Sequence, residues 1–437
     1  MYRPVKSRKA EEIIKDIQDE YQQSHTTPWI IGFSGGKDST VLLTLTWIAI
    51  RRLKDDGFNA ERHVYVVCND TLVENPIITN YIEVVLADIE MEAIKQDMPI
   101  SVIQTTPELH ETFWTNVIGK GYPVPNNSFR WCTDRLKIKP TASFLHKQVS
   151  DKGKAIVLLG TRYSESTSRK QSMKKYERKN HRLSKHSTSI GTMVYAPIKS
   201  LEFEEVWFII NTVQSPWGFD NKILFDIYME ASADDYECPT VVTNKSHKSC
   251  GQSRFGCWTC TVVQEDKSMK AMVDSKYSWL KPLLELRNDL QSERNVSKNR
   301  STTRRNGMPA ISEEGDNFGN YTFEYRQSVL SRLLKNQYQL KEQGHETQLI
   351  TTQELSAIQV SWDRDGFISP RVIDISNSIL GNHSTELNHS LINEVLDKDS
   401  AILIPQLLTI QKNKSIMIKK IGLVNDIDKA LEKHLNK

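Results

Sequence analysis

Seven consecutive residues, Ser34-Gly35-Gly36-Lys37-Asp38-Ser39-Thr40, carry the most specific chemical signal in this chain. Two adjacent glycines let backbone N–H groups turn inward and approach an anion closely. Ser34, Ser39 and Thr40 add hydroxyl donors, and a helix opening at this point adds the partial positive charge of its N-terminus. The set suits a phosphate chain. It is not a Walker A loop, which needs Gly, four residues and then Gly-Lys-Ser/Thr, because here Asp38 follows the lysine.

The second signal is sulfur. Of the six cysteines, Cys238, Cys250, Cys257 and Cys260 fall within 23 consecutive positions, the last two as Cys-Trp-Thr-Cys. Four thiolates suit tetrahedral zinc or a [4Fe–4S] cluster, and spacing alone leaves both open, with His247 an alternative zinc ligand. The irregular gaps are unlike a compact zinc ribbon. Cys132 stands apart in Arg130-Trp131-Cys132-Thr133-Asp134-Arg135-Leu136-Lys137-Ile138-Lys139, where four cations are expected to lower its pKa and favour thiolate. That suits a persulfide carrier, an anionic substrate, or simply a packed cysteine beside phosphate-binding residues. Cys68 lies in an apolar run and reads as packing.

Two further segments end apolar runs. In Gly160-Thr161-Arg162 the planar fork of Arg162 suits an α-phosphate or AMP, or the residue is a surface arginine. In Asn69-Asp70-Thr71, Asp70 suits a ribose hydroxyl or Mg²⁺, or caps a turn.

These residues need elements to position them. Ile13, Ile14, Ile17 and Tyr21 have the spacing of an amphipathic helix. Residues 29–33, 63–68, 100–105, 155–159 and 193–198 read as strands. Helices are expected at 40–52, 76–96 and 201–213, so the pattern predicts an α/β fold with a parallel sheet flanked by helices. Ligands in such sheets bind at the C-terminal edge of the strands, where the glycine turn falls. The expected organisation is a nucleotide domain over 1–230, a cysteine segment with its following helix over 231–294, a polar, basic and mobile linker over 295–320, and a mostly helical region over 321–437.

Composition narrows the class. The 437 residues are 38% apolar, with 19 Gly and 15 Pro, which excludes collagen-like and low-complexity chains. Six cysteines are too few for a disulfide scaffold of this length. The N-terminal stretch is charged where a signal peptide needs an apolar core, and no apolar run is long enough for a membrane span. A soluble cytoplasmic protein is expected, with no membrane partner.

The Ser-Gly-Gly-Lys-Asp-Ser turn after a strand resembles the PP-loop of the ATP pyrophosphatase superfamily, whose fold is of this α/β type. Arg-Trp-Cys-Thr-x-Arg-Leu-Lys (130–137) and Glu-Glu-Val-Trp (204–207) resemble its phosphoadenosine phosphosulfate reductase branch. Within that branch, residues 70–76, 112–114, 119–123, 129–137, 231–234, 237–239, 249–251 and 253–260 look like the DndC-type DNA phosphorothioation sulfurtransferases. The resemblance spans about 10–290. It implies an ATP pyrophosphatase that adenylates a non-bridging oxygen of a DNA backbone phosphate and replaces it with sulfur.

It further implies Mg²⁺, a [4Fe–4S] cluster on the four clustered cysteines, and catalytic roles for Lys37, Asp38, Cys132 and Arg162. ATP would contact residues 34–40, Asp70 and Gly160 to Arg162. Implied partners are double-stranded DNA, a cysteine desulfurase as sulfur and cluster source, an ATPase subunit and a small DNA-binding subunit. One departure matters: no cysteine follows Cys260, whereas reductases of this branch use one near their C-terminus. Sulfonucleotide reduction and tRNA thiolation remain the alternative activities.

The net charge of +3 hides an uneven distribution. Residues 165–186 hold eight basic and two acidic side chains, residues 287–305 six and two, so the rest sums to −7. Both segments are expected to contact phosphates. No helix-turn-helix or zinc-finger pattern for reading bases is present.

Overall fold

The computed structural model describes residues 5–177, 181–185, 191–231, 256–312, 315–316, 318–367, 369–380 and 429. Six strands form one sheet in the order β3-β2-β1-β4-β6-β5. They are β1 (Trp29–Gly32), β2 (Val64–Asn69), β3 (Ile100–Thr105), β4 (Ala155–Leu158), β5 (Leu183–Lys185) and β6 (Thr192–Tyr195). All neighbours are parallel except β5 and β6. The expected parallel sheet is present, while the short antiparallel edge strand β5 escaped the sequence. Its residues, Leu-Ser-Lys, lie inside a basic run with no apolar alternation to betray them.

Helices cover the sheet: α1 (Arg8–Tyr21), α2 (Lys37–Asp55), α3 (Pro76–Lys95), α4 (Lys139–Lys152), α5 (Thr167–Tyr176), α6 (Phe203–Thr212) and α7 (Asn221–Ala231). Ser7 caps α1 by accepting from the Ala10 N–H, and its apolar stripe Ile13, Ile14, Ile17 and Tyr21 is buried. Asn75 caps α3, whose first residue is Pro76, where a missing N–H costs nothing. Helix α2 is buried along nearly its whole length, which explains its apolar sequence without a membrane role. Among the described residues no helix is long and apolar enough to cross a membrane.

Beyond the cysteines come α8 (Lys267–Ser275), α9 (Lys281–Glu293), α10 (Phe323–Glu342), α11 (Thr352–Asp365) and α12 (Val372–Leu380). The single helix expected near 269–290 is two, because Pro282 must start a helix rather than continue one. The described part of the C-terminal region shares the main hydrophobic core: Val329, Leu330, Ile358 and Trp362 join the cluster that holds β1 and α2. Two indoles sew it to the segment before Cys132. Trp114 Nε1 donates to the Leu349 carbonyl at 2.8 Å, and Trp362 Nε1 to the Ile118 carbonyl at 2.9 Å.

Residues 295–320 differ from the expected linker. Ser301, Ala310, Phe318 and Gly319 exchange backbone hydrogen bonds that fold the stretch into two turns. The Arg300 guanidinium is buried and donates to the carbonyls of Gly319, Phe318 and Arg294. Polar composition suggested mobility; an internal arginine satisfying three carbonyls supplies order instead.

Candidate functional site

The glycine turn leaves β1 at Phe33, whose N–H still bonds to the Val67 carbonyl of β2. Gly35 has φ +70°, and a Cβ there would lie 2.9 Å from the Ile82 side chain, so only glycine fits. Tyr81 donates to the Gly35 carbonyl at 3.1 Å, and Ser39 Oγ to the Gly36 carbonyl at 2.9 Å. The Ser34 N–H lies 3.3 Å from Ser39 Oγ. Gly36 caps α2 without any side-chain bond to the first N–H groups. This is a fixed cradle with helix-terminal N–H groups, and it fits a phosphate chain.

Lys37 and Asp38 follow. The Lys37 ammonium lies 3.5 Å from Asp38 Oδ2 and 5.2 Å from the centre of the Tyr228 ring, whose hydroxyl accepts from the Lys37 N–H. Asp38 Oδ1 accepts from Arg162 Nε at 2.6 Å. Arg162 is 1% exposed and also donates to Ser164 Oγ and the Leu201 carbonyl, while its Nη2 is buried without a partner. The guanidinium expected on an α-phosphate is therefore largely spent on the loop aspartate. Gly160 makes this possible: a Cβ there would meet the Asp38 carbonyl at 2.9 Å. Thr161 between them is half-buried.

Asp70 sits at the end of β2 with Oδ1 accepting the Leu72 N–H at 2.7 Å, the turn-cap alternative, and burial raises its pKa. Leu72 has φ 62°, a strained conformation for a branched side chain. The turn delivers Val73 to Asn75 against the cysteine clip. Trp258 N–H donates to the Val73 carbonyl at 3.0 Å, and Glu74 pairs with Cys257 as an isolated bridge. Thr71 Oγ1 lies 3.2 Å from Cys257 Sγ. From the other side Arg287, 0% exposed, donates to the carbonyls of Cys260, Val263 and Gln264. Thr261 Oγ1 donates to the Pro125 carbonyl at 2.7 Å.

Cys132 lies near this clip. The Lys137 residue is exposed, and its ammonium is close enough to Cys257, Glu74, Cys132 and Cys260 for them to raise its pKa, Cys257 most of all. Burial pushes the Cys257 thiol up to about 12 and raises Cys132 as well. The expected lowering of the Cys132 pKa is corrected here: burial, with Cys260 adding to it, outweighs the nearby cation. Residues 133–138 form a π-helical turn, and most of its cations have other partners. Arg135 goes to Glu111 and Asn116, Arg130 to Asn127 and Lys139 to Asp134, which leaves only Lys137 for the thiol. Cys238 and Cys250 lie outside the described residues. Among the described residues no three ligand side chains close on a single ion.

A family model for the phosphoadenosine phosphosulfate reductase domain matches residues 28–263, more than half of the chain. The chain belongs to that family. A curated relative, the uncharacterized protein MJ0066 of Methanocaldococcus jannaschii, is 30% identical over 142 residues, 32% of this chain and 24% of that protein's own length. Similar solved structures include the phosphoadenylyl-sulfate reductase of Candida auris in a phosphate complex, with 14% identity and a TM-score of 0.27 over 47% of this chain and 86% of that one. They also include the U34-tRNA thiolase NcsA of Methanococcus maripaludis with its [4Fe-4S] cluster, with 11% identity and a TM-score of 0.28 over 51% and 73%. Scores and identities this low give the site no further support.

In this reductase-domain protein the sequence reading missed Tyr81, Phe203 and Tyr228. Tyr81 and Tyr228 hydrogen-bond the glycine loop, and the Phe203 and Tyr228 rings lie 5.8 and 5.2 Å from the Lys37 ammonium. Each sits on a helix face that reads as ordinary core, so no local signal marks it. The meeting of Cys132 with Cys257 and Cys260 was equally invisible, since more than 120 positions separate them in the chain.

Proposed function

We propose that this protein is an ATP-dependent sulfurtransferase of the DndC type that acts on the DNA backbone. The observation carrying the proposal is that the glycine cradle leaves the C-terminal end of β1, while the segment leaving the neighbouring strand β2 hydrogen-bonds to the Cys257–Cys260 clip. A phosphodiester oxygen is a poor leaving group. In the first step it attacks the α-phosphorus of ATP, and the α–β bridging P–O bond breaks to release pyrophosphate. In the second, a hydrosulfide-level sulfur attacks the activated DNA phosphorus. The P–O bond to AMP breaks, AMP leaves with the oxygen, and the sulfur's proton goes to solvent.

The cradle N–H groups and Lys37 would hold the phosphates, with Mg²⁺ accompanying ATP, and stabilise charge on departing pyrophosphate. Asp38, held by Arg162, would fix Lys37. Cys238, Cys250, Cys257 and Cys260 have the donor chemistry to hold an iron–sulfur cluster, which when bound would supply iron to the sulfur chemistry, and Cys132 nearby is a candidate sulfur carrier. Lys137 would balance thiolate charge there. PP-loop proteins are typically ATP-using enzymes. The cysteine desulfurase, the ATPase subunit and the small DNA-binding subunit belong to the same proposal.

The test is mass spectrometry of nuclease-digested DNA from cells carrying the wild type or Lys37→Ala. Sulfur-containing dinucleotides that require Lys37 are expected. Thiolated tRNA nucleosides, or sulfite release from phosphoadenosine phosphosulfate, with unmodified DNA would overturn the reading.

A further inference from the structure

Two hydrogen-bonded loops share one root, residues 121–125, which also bonds to the thiol clip at Thr261. The first follows Pro125. Asn126 Oδ1 accepts the N–H groups of Ser128 and Phe129 at 2.8 and 2.7 Å, and the Asn126 N–H returns to the Phe129 carbonyl. The closed turn holds Phe129 43% exposed, three positions before Cys132, although a cluster of Phe113, Trp114 and Trp131 packs close by. Arg130 beside it is exposed and braced on Asn127.

The second is the turn 304–308, closed by the Arg304 N–H on the Met308 carbonyl and by Gly307, at φ +80°, on the Arg304 carbonyl. Its base is fixed by the buried Arg300 and by Gly319, where a Cβ would lie 2.0 Å from the Thr303 carbonyl. Arg304 is exposed, and Met308 is 57% exposed. Asp316 sits on the following turn, whose Ser312 N–H meets its carbonyl.

Both loops hang on residues 121–125. The Tyr321 N–H donates to Gly121, the Val124 N–H donates to the Tyr321 hydroxyl, and Pro125 accepts from Thr261 beside Cys260. Three of the six cations counted over 287–305, Arg287, Arg294 and Arg300, are spent on internal carbonyls. Arg305 is partly engaged with Asp365, so Arg304 and Lys298 face outward. Ordered, solvent-facing aromatic and guanidinium groups beside a sulfur site have the character of a nucleic-acid surface, rings for bases and cations for phosphates.

We infer that the loops carrying Phe129 and Arg304 form the face that holds duplex DNA beside the thiols, with Arg130 and Arg304 on phosphates and the Phe129 ring against a base drawn out of the stack. The inference rests on the DNA reading above and adds where the duplex lies. Drawing out a base opens the backbone locally, so that the phosphate next to it reaches the half-buried thiols.

The test uses the full chain and a labelled duplex bearing 2-aminopurine, with binding followed by anisotropy at several salt concentrations. Phe129→Ala and Arg304→Glu are each expected to weaken binding about tenfold, Arg304→Glu also flattening the salt dependence by about one unit of slope. Phe129→Tyr should bind as the wild type does. The wild type should brighten 2-aminopurine and Phe129→Ala should not. Unchanged thermal midpoints exclude unfolding as the cause, and Arg304→Gln gives a second, milder charge removal. If the wild type binds duplex DNA and these variants bind equally well, the face is wrong and the substrate reading stands. If the wild type binds no duplex DNA even at low salt, both fall.

Discussion

Arg162 Nε meets Asp38 Oδ1 at 2.6 Å, joining the end of β4 to the first turn of α2 across 124 positions of sequence. The pair ties the glycine loop to the neighbouring strand through a side chain that solvent barely reaches. Removing the guanidinium would leave Asp38 without its main partner in a partly buried place. Arg162→Ala is expected to lower stability by about 3 kcal/mol in urea unfolding, with ATP affinity falling alongside. Arg162→Lys should recover only part, since a point charge cannot serve Asp38, Ser164 and Leu201 together. A variant as stable as the wild type would show that the pair is incidental.

The approach of Gly160 to the Asp38 backbone is tighter than any side chain permits. In Gly160→Ala, either strand end or loop must shift, and both are held by the sheet. We expect loss of ATP binding by calorimetry with a fall in thermal midpoint of several degrees, corresponding to about 1–3 kcal/mol. Undiminished ATP binding would mean that the loop yields.

Lys37 is set against the Asp38 carboxylate and the Tyr228 ring. A single preorganised cation on a departing phosphate is commonly worth about 10²–10³ in rate. Lys37→Ala should reduce pyrophosphate release by that factor, measured with a coupled phosphate assay under saturating ATP. A loss confined to KM would place Lys37 in binding alone.

Cys257 and Cys260 are the two proposed cluster ligands that lie within the described residues, so iron binding should depend on both. In anaerobically purified protein, Cys257→Ser and Cys260→Ser are each expected to lose most iron and acid-labile sulfide, whereas Cys68→Ser, in β2, should keep both. Stoichiometric zinc without iron in the wild type would exclude the cluster.

Glu354 is 1% exposed, and burial raises its pKa despite bonds from Thr351. A raised carboxyl pKa means that the folded state binds the proton more tightly. Its contribution is therefore most favourable below the unfolded pKa of about 4.5 and declines as pH rises through the folded value. Glu354→Gln keeps an acceptor for Thr351 and removes the charge. Calorimetric midpoints between mild acid and neutrality should show a shallower loss of stability with rising pH than in the wild type; parallel profiles would contradict this.

The parallel sheet, the helix-opening glycine turn and the family were legible because each has a local signature. Apolar runs alternate with helical periods, and two glycines before a lysine permit few backbone shapes. Arg162 stood out in the sequence beside Gly160 and Thr161, but its partner Asp38 did not, since a charge in a string does not say which way it points. The basic run at 287–305 shows this most clearly. Arg287, Arg294 and Arg300 look like phosphate contacts in composition and serve as internal donors to carbonyls once folded.

By itself, then, the sequence determined the elements and the chemical types: a cradle for phosphate at a strand end, and a supply of thiols. Only the tertiary structure decided which groups meet. It brought Cys132 and Lys137 near Cys257 and Cys260. It partly buried the Cys132 thiol and gave Arg130, Arg135 and Lys139 other partners, so that the thiol pKa is raised rather than lowered. Local periodicity follows from backbone geometry within a few residues, whereas electrostatics depends on distance in space, and that distance is set by how the strands and residues 121–125 pack.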